Sequence, residues 1–239
     1  MPLHILDHPL AAHIMTHLRD ATTKPATFRT LAYQLSLLLA IEATSDLPTE
    51  EKVIQTPLES MTGRVLTHQP LVVVPILRAG LGMVQPFLDT FPDVSVGYLG
   101  LERDHETAVA RNYYCKLPPL AGRRVFLVDP MLATGGSAAQ AITVAKQHGA
   151  ENPQLVCIVA APEGAAEIER QHPGTMIHVA ALDRGQVAGI VHLVSSSVPE
   201  LQPKAVSVLD QSGSLISGPG EDGNGGNGGN SLDAQQLQY

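Results

Sequence analysis

V-F-L-V-D-P-M-L-A-T-G-G-S-A-A-Q-A-I, Val125 to Ile142, passes from an apolar strand through a small-residue turn into a helix. Val125 to Val128 read as strand and end in Asp129. Thr134, Gly135, Gly136 and Ser137 then lead into the helical start Ala138 to Ile142. Such a junction presents unpaired backbone N–H groups and the positive end of a helix dipole, so its default ligand is an anion, above all phosphate. Paired glycines let the backbone approach that anion closely. A Walker loop would need Lys after the last glycine, and a dinucleotide loop would need G-x-G-x-x-G; neither pattern is present. Asp129 adds a carboxylate at the strand end, and a carboxylate accepts hydrogen bonds from the two hydroxyls of a ribose. The turn therefore reads as a sugar-phosphate site. The competing reading is an ordinary strand–turn–helix joint with a small-residue cap, supplied by Thr134 or Ser137.

Outward from this stretch, strands are expected at Leu71 to Leu77, Val94 to Leu101, Arg124 to Asp129, Leu155 to Ala161 and Met176 to Ala181. Helices are expected at Gly80 to Leu88, Ala138 to His148 and Ala165 to His172. Two more fill His8 to Thr44, broken near Thr22 to Pro25, with Thr27 capping before Phe28; a short strand falls around Val53 and Ile54. Alternating strands and helices imply an α/β fold, a mainly parallel sheet flanked by helices, whose ligands collect at the carboxyl ends of the strands. Pro75 to Gly80, Asp129 to Ser137, Ala161 to Gly164 and Asp183 to Gly185 each follow an expected strand, so one crevice is expected to draw on all of them. Past Gly185 the regularity fades, with strand candidates only at Gly189 to Val194 and Ala205 to Leu209. The Gly/Asn run from Gly218 to Asn230 has too little side chain to offset its ordering entropy and reads as a flexible tail. Its acids, Glu221 and Asp222, are too few for a calcium loop.

At 239 residues and a net charge of −8, the chain has ample apolar content for a core and no Lys/Arg-rich face for nucleic acid. No apolar run reaches membrane-spanning length and no signal peptide is evident, so a cytoplasmic protein is expected. Cys115 and Cys157 lie far apart with no C-x-x-C spacing and are expected to be buried free thiols. His4, His8, His13 and His17 lack metal-ligand spacing and read as surface residues.

Arg78, in P-I-L-R-A-G-L-G, is placed either to form a bidentate pair with phosphate or to make a structural ion pair. Arg103, in L-E-R-D-H-E-T-A, stands in a polar stretch suited to folding over an anion, or to solvation as a charge run. A sugar-phosphate cradle, a ribose acid and two arginines together describe a ligand with phosphate at one end and pyrophosphate at the other.

At this point the sequence resembles the uracil phosphoribosyltransferase family. The resemblance rests on V-V-P-I-L-R-A-G-L-G-M (Val73 to Met83), E-R-D-H-E-T (Glu102 to Thr107), V-D-P-M-L-A-T-G-G-S (Val128 to Ser137) and V-A-A-P-E-G (Val159 to Gly164). Shorter matches, H-P-L at His8, F-R at Phe28 and E-A-T-S-D-L at Glu42, extend it into the opening helices. The general phosphoribosyltransferase loop carries two adjacent acids, whereas the uracil branch carries Asp-Pro, as Asp129-Pro130 does here. The resemblance implies a type I phosphoribosyltransferase-like fold over residues 1–185, and transfer of a phosphoribosyl group from phosphoribosyl pyrophosphate to uracil, giving UMP and pyrophosphate. It implies pyrophosphate contacts from Arg78 and Arg103, ribose contacts from Asp129, and a substrate loop of Pro130, Met131, Leu132, Ala133, Thr134, Gly135, Gly136 and Ser137. Mg2+ as cofactor, a homodimer or higher homo-oligomer, and GTP as an allosteric effector come from the same resemblance. The family's uracil-binding segment, close to Y-I-x-P-G-L-G-D-A-G-D-R, has no match after Gly185. Residues 186–217 form a divergent segment and 218–239 the tail, and the nearest echo of the missing segment names Ile216, Pro219, Gly220 and Asp222 as weak candidates. A non-catalytic phosphoribosyl pyrophosphate binder is the alternative function.

Overall fold

The computed structural model describes residues 2–67, 70–103, 110–182, 208–209 and 215–217. In chain order its elements are β1 (Leu3–Ile5), α1 (Pro9–Arg19), α2 (Pro25–Ala43), β2 (Thr49–Gln55), β3 (Ser60–Leu66) and β4 (Leu71–Leu77). A 3-10 turn (Ala79–Met83) leads into α3 (Val84–Thr90), β5 (Ser95–Val96), β6 (Tyr98–Arg103), β7 (Ala110–Lys116), β8 (Arg124–Val128), β9 (Met131–Leu132) and α4 (Gly136–Gln147). Then follow β10 (Gln154–Ala160), α5 (Pro162–Gln171), β11 (Ile177–Leu182), β12 (Val208–Leu209) and β13 (Leu215–Ser217).

The main sheet runs β1-β11-β10-β8-β4-β6-β7, with β5 beside β4 and β9 beside β10. Its pairings are parallel except β6 with β7. Period-two alternation explains how near-continuous apolar strands serve both faces. Val73, Phe126, Val128 and Val156 pack under α1, α2 and α3, while Val72, Leu127, Leu155 and Cys157 pack under α4 and α5.

Several expectations are corrected in detail. The cap of α2 is Lys24, with no side-chain bond, because Pro25 already occupies the first helical position; Thr27 lies inside the helix. The short strand expected at Val53 and Ile54 is one arm of the β2–β3 hairpin, paired from Thr49↔Leu66 to Gln55↔Ser60. The strand expected at Val94 to Leu101 divides at Gly97, where an added Cβ would lie 2.8 Å from the Leu117 side chain. The polar run A-R-N-Y-Y-C-K is a strand, β7, carried at the sheet edge. Edge position also exposes Cys115, whereas Cys157 is buried as expected. His4, His8, His13 and His17 are all exposed. The Gly189 to Val194 candidate and the Gly/Asn run lie outside the described residues.

Candidate active site

The chain leaves β4 toward β6 on one side of the sheet, whereas after β8 it proceeds to β10 on the other. The carboxyl ends of β4 and β8 are adjacent, so the sheet's switch point falls between them, where ligands of open α/β sheets bind. A cleft of about 210 Å³ opens there, lined by Ala79 from the turn after β4 and by Asp129, Met131, Leu132, Ala133, Thr134, Gly135, Ser137 and Ala138.

Backbone bonds to β10 set the shape of the loop after β8. Asp129 N–H donates to Val156 (3.2 Å), and the carbonyl of Pro130 accepts from both Ile158 and Val159 (3.1 Å each). Proline has no N–H to satisfy at this bend, which suits it to a place where only its carbonyl is used. Met131 and Leu132 then form β9 against Val159 and Ala160, and Ala161 N–H donates to the Leu132 carbonyl (2.8 Å). From the far side α5 presents Gly164, where an added Cβ would stand 2.2 Å from the Ala133 carbonyl oxygen. Gly80, after β4, is equally tight: an added Cβ would fall 2.3 Å from the Val128 carbonyl oxygen.

Gly135 caps α4 with φ of 84°, a left-handed conformation open to glycine, and it sits against Gly164 and Glu167. The N-cap residue is Gly135 itself, which brings no side chain to the N–H groups at this helix start. The first intrahelical bond is Ala139 N–H to the Gly135 carbonyl (2.8 Å), which leaves the preceding N–H groups without an intrahelical acceptor beside the cleft. Beside this positive end lies the Asp129 carboxyl. Burial pushes its pKa up to about 7, opposed only by a weak 3.5 Å bond from Met131 N–H. A carboxylate so poorly solvated gains from any hydroxyl donor brought to it.

Arg78 follows β4, joined to Leu77 by a cis peptide bond, and its side chain is exposed. Among the described residues no carboxylate pairs with it, which removes the described acids as partners for a structural ion pair. Arg103 is the last residue of β6, opposite Ala110 of β7; its side chain lies outside the described part of the structure. Of the segments expected to converge, those after β4, β8 and β10 do so, and Asp183 to Gly185 lies outside the described residues. Ala79, Gly80 and Gly164 stand in segments expected to line the crevice, and the close backbone contacts at Gly80 and Gly164 give them their place in it.

The family model described as uracil phosphoribosyltransferase matches residues 5–187. The chain belongs to the uracil phosphoribosyltransferase family. It is 46% identical over 182 residues to the uracil phosphoribosyltransferase of Bacillus licheniformis, covering 76% of this chain and 87% of the relative. With that of Thermus thermophilus it shares 47% over 184 residues, covering 77% and 88%. Among solved structures it is similar to the AQ2163 protein of Aquifex aeolicus, with a TM-score of 0.72 at 32% identity over 92% of this chain and 94% of that one. A further family match, to the secretory protein of YscJ/FliF RBM domain, spans residues 171–217. It includes β11, which is hydrogen-bonded between β10 and β1 of the uracil phosphoribosyltransferase sheet, so that stretch is not an independent domain. The uracil phosphoribosyltransferase match ends near the point where the sequence pattern was expected to break. Of the weak uracil candidates, Ile216 falls on β13, which pairs with β12; Pro219, Gly220 and Asp222 lie outside the described residues.

Proposed function

We propose that the chain transfers the phosphoribosyl group of phosphoribosyl pyrophosphate to N1 of uracil, releasing pyrophosphate and giving UMP, a pyrimidine salvage reaction. The observation that carries this reading is the poorly solvated Asp129 carboxyl, lining the cleft beside the glycine-opened start of α4. The loop N–H groups from Ala133 to Ser137 bind the 5′-phosphate, and Asp129 holds the ribose hydroxyls. Arg78 and Arg103 are assigned to the pyrophosphate on the ground of family membership. As the bond from C1′ to pyrophosphate breaks, negative charge grows on the leaving group while C1′ becomes cation-like. Positive groups aimed at the leaving group then lower the barrier most. No covalent bond to the protein is needed.

Among the described residues no cluster of three His, Cys, Asp or Glu side chains is placed to hold a metal, and Asp129 is the one carboxylate lining the cleft. That donor set fits Mg2+ carried on substrate oxygens, since this ion is commonly bound through one or two carboxylates plus substrate phosphates. When bound it would neutralise pyrophosphate charge; Asp129 and Arg78 orient the same substrate from the protein side. No helix among the described residues is long and apolar enough to cross a membrane. A cytoplasmic homo-oligomer, with GTP as an effector, completes the proposal on the ground of family membership.

The test is product formation by the full chain from uracil and phosphoribosyl pyrophosphate with Mg2+. UMP and pyrophosphate are expected in equal amounts. A second reading, a binding protein without transferase activity, is favoured by the end of the family match at residue 187. Saturable phosphoribosyl pyrophosphate binding with no UMP would establish it. Replacing residues 186–239 by a family-like ending would then be expected to create UMP synthesis.

A further inference from the structure

A second group of reactive side chains lies at the opposite end of α4 from the cleft, about 18 Å along a helix of 12 residues. Cys115 of β7 is paired with Leu99 of β6, so both side chains lie on one face of the sheet, the face that α4 covers. Leu99 is fully buried there, but β7 is the sheet edge and Cys115 remains exposed. His148, the residue that ends α4, reaches it: Cys115 Sγ is 3.8 Å from His148 Nε2. The other ring nitrogen, Nδ1, lies 2.8 Å from the Val144 carbonyl oxygen. A carbonyl only accepts, so Nδ1 carries the proton and Nε2 offers its lone pair to the thiol. A nucleophile, a base and a group that orients the base thus stand in series.

We propose that Cys115 is a modification site, a thiol that His148 activates for exchange with small-molecule disulfides of the glutathione class. In the exchange, His148 Nε2 takes the thiol proton and the Cys115 sulfur attacks one sulfur of the disulfide. The sulfur–sulfur bond of the reagent breaks, and its departing thiolate collects the proton from the imidazolium. One mixed disulfide on Cys115 and one small thiol result; the Cys115 sulfur is oxidised and the leaving sulfur reduced, with the reagent as oxidant. The adduct sits on the strand paired with β6, which ends at Arg103. Cys157, buried beneath the sheet surface, is the internal control.

The experiment treats the native full chain with 4,4′-dithiodipyridine at neutral pH, reads thiopyridone release, and uses glutathione as the reference thiol. One equivalent per chain is expected to react at least about tenfold faster than glutathione, as an imidazole-activated thiol should. Peptide mapping should place it on Cys115, and the second equivalent should appear only on unfolding. Cys115→Ser should remove the fast equivalent, and His148→Gln should slow it by about tenfold. Circular dichroism and the unfolding midpoint report whether α4 survives in the His148 variant. A native Cys115 no faster than glutathione overturns the proposal without any variant, and so does an unchanged rate in a folded His148→Gln chain.

Discussion

The loop after β8 and the β2–β3 hairpin are both short excursions from the sheet, and they are held in different ways. The loop backbone is tied to β10 by a run of hydrogen bonds, backed by Gly164 of α5 and flanked by the turn at Gly80. The hairpin is held by its own ladder: every residue of β2 is exposed, Val53 by 72%, and Leu58 at its tip by 95%. Where three neighbouring elements fix a backbone, its N–H groups can be aimed at a ligand before the ligand arrives, which is what electrostatic preorganisation requires. Where a segment is fixed only by itself, substitutions have few contacts to break.

Substitutions should separate the two regions, beginning with the tightest contact. Gly164→Val drives a branched side chain into the Ala133 carbonyl, a backbone atom that moves only with the loop. It should cost about 3 kcal/mol of stability by denaturant unfolding and abolish measurable phosphoribosyl pyrophosphate binding. A stable variant of undiminished affinity would show that the loop is not fixed from α5. Arg78→Ala should weaken binding of that ligand by about 1.5–3 kcal/mol, the scale of a charged hydrogen bond. Because the side chain is exposed, stability should stay within about 0.5 kcal/mol of the parent. Unchanged affinity in calorimetry would remove Arg78 from the site.

Asp129→Asn should show a smaller effect of opposite sign on the free protein. Burial raises the carboxyl from 3.8 to about 7, so its contribution to stability is full below the unfolded value and is lost as pH rises through the folded one. Asparagine does not ionise, and the variant's advantage should grow from pH 4 to pH 8, reaching about 1–2 kcal/mol in thermal or denaturant unfolding. Relative to the parent, the variant's affinity for the ribose ligand should be lower, by an amount that grows over the same pH range. A pH-independent difference would mean that the carboxyl is well solvated. The smallest effect belongs to the hairpin: Leu58→Ala should change stability by less than about 0.5 kcal/mol and leave ligand binding intact.

The same contrast governs what could be read from the amino-acid order. Strands buried on both faces, such as Leu71–Leu77 and Gln154–Ala160, announce themselves as apolar runs, and the loop announces itself through Asp129 and its glycines. T-E-E-K-V-I-Q carries no core-facing alternation because neither face of β2 packs, and only Val53 and Ile54 hinted at a strand. A-R-N-Y-Y-C-K shows no apolar run because its strand, β7, lies at the sheet edge. The loop's ties to β10 were not legible at all. Hydrogen bonds from Ile158 and Val159 to Pro130 join positions distant in sequence through backbone atoms, which leave no residue-type signature. The exposure of Cys115 was missed for a related reason, since it follows from the strand order rather than from the local residues.

The most direct test of a preassembled sugar-phosphate cradle is calorimetric titration of the unmodified full chain with phosphoribosyl pyrophosphate and Mg2+, repeated in the presence of ribose 5-phosphate. The fixed loop predicts saturation at one ligand per chain and competition by ribose 5-phosphate, whose phosphate occupies the same N–H groups at the start of α4. Absence of saturable heat, or binding that ribose 5-phosphate does not displace, would contradict the assignment of the loop from Asp129 to Ser137.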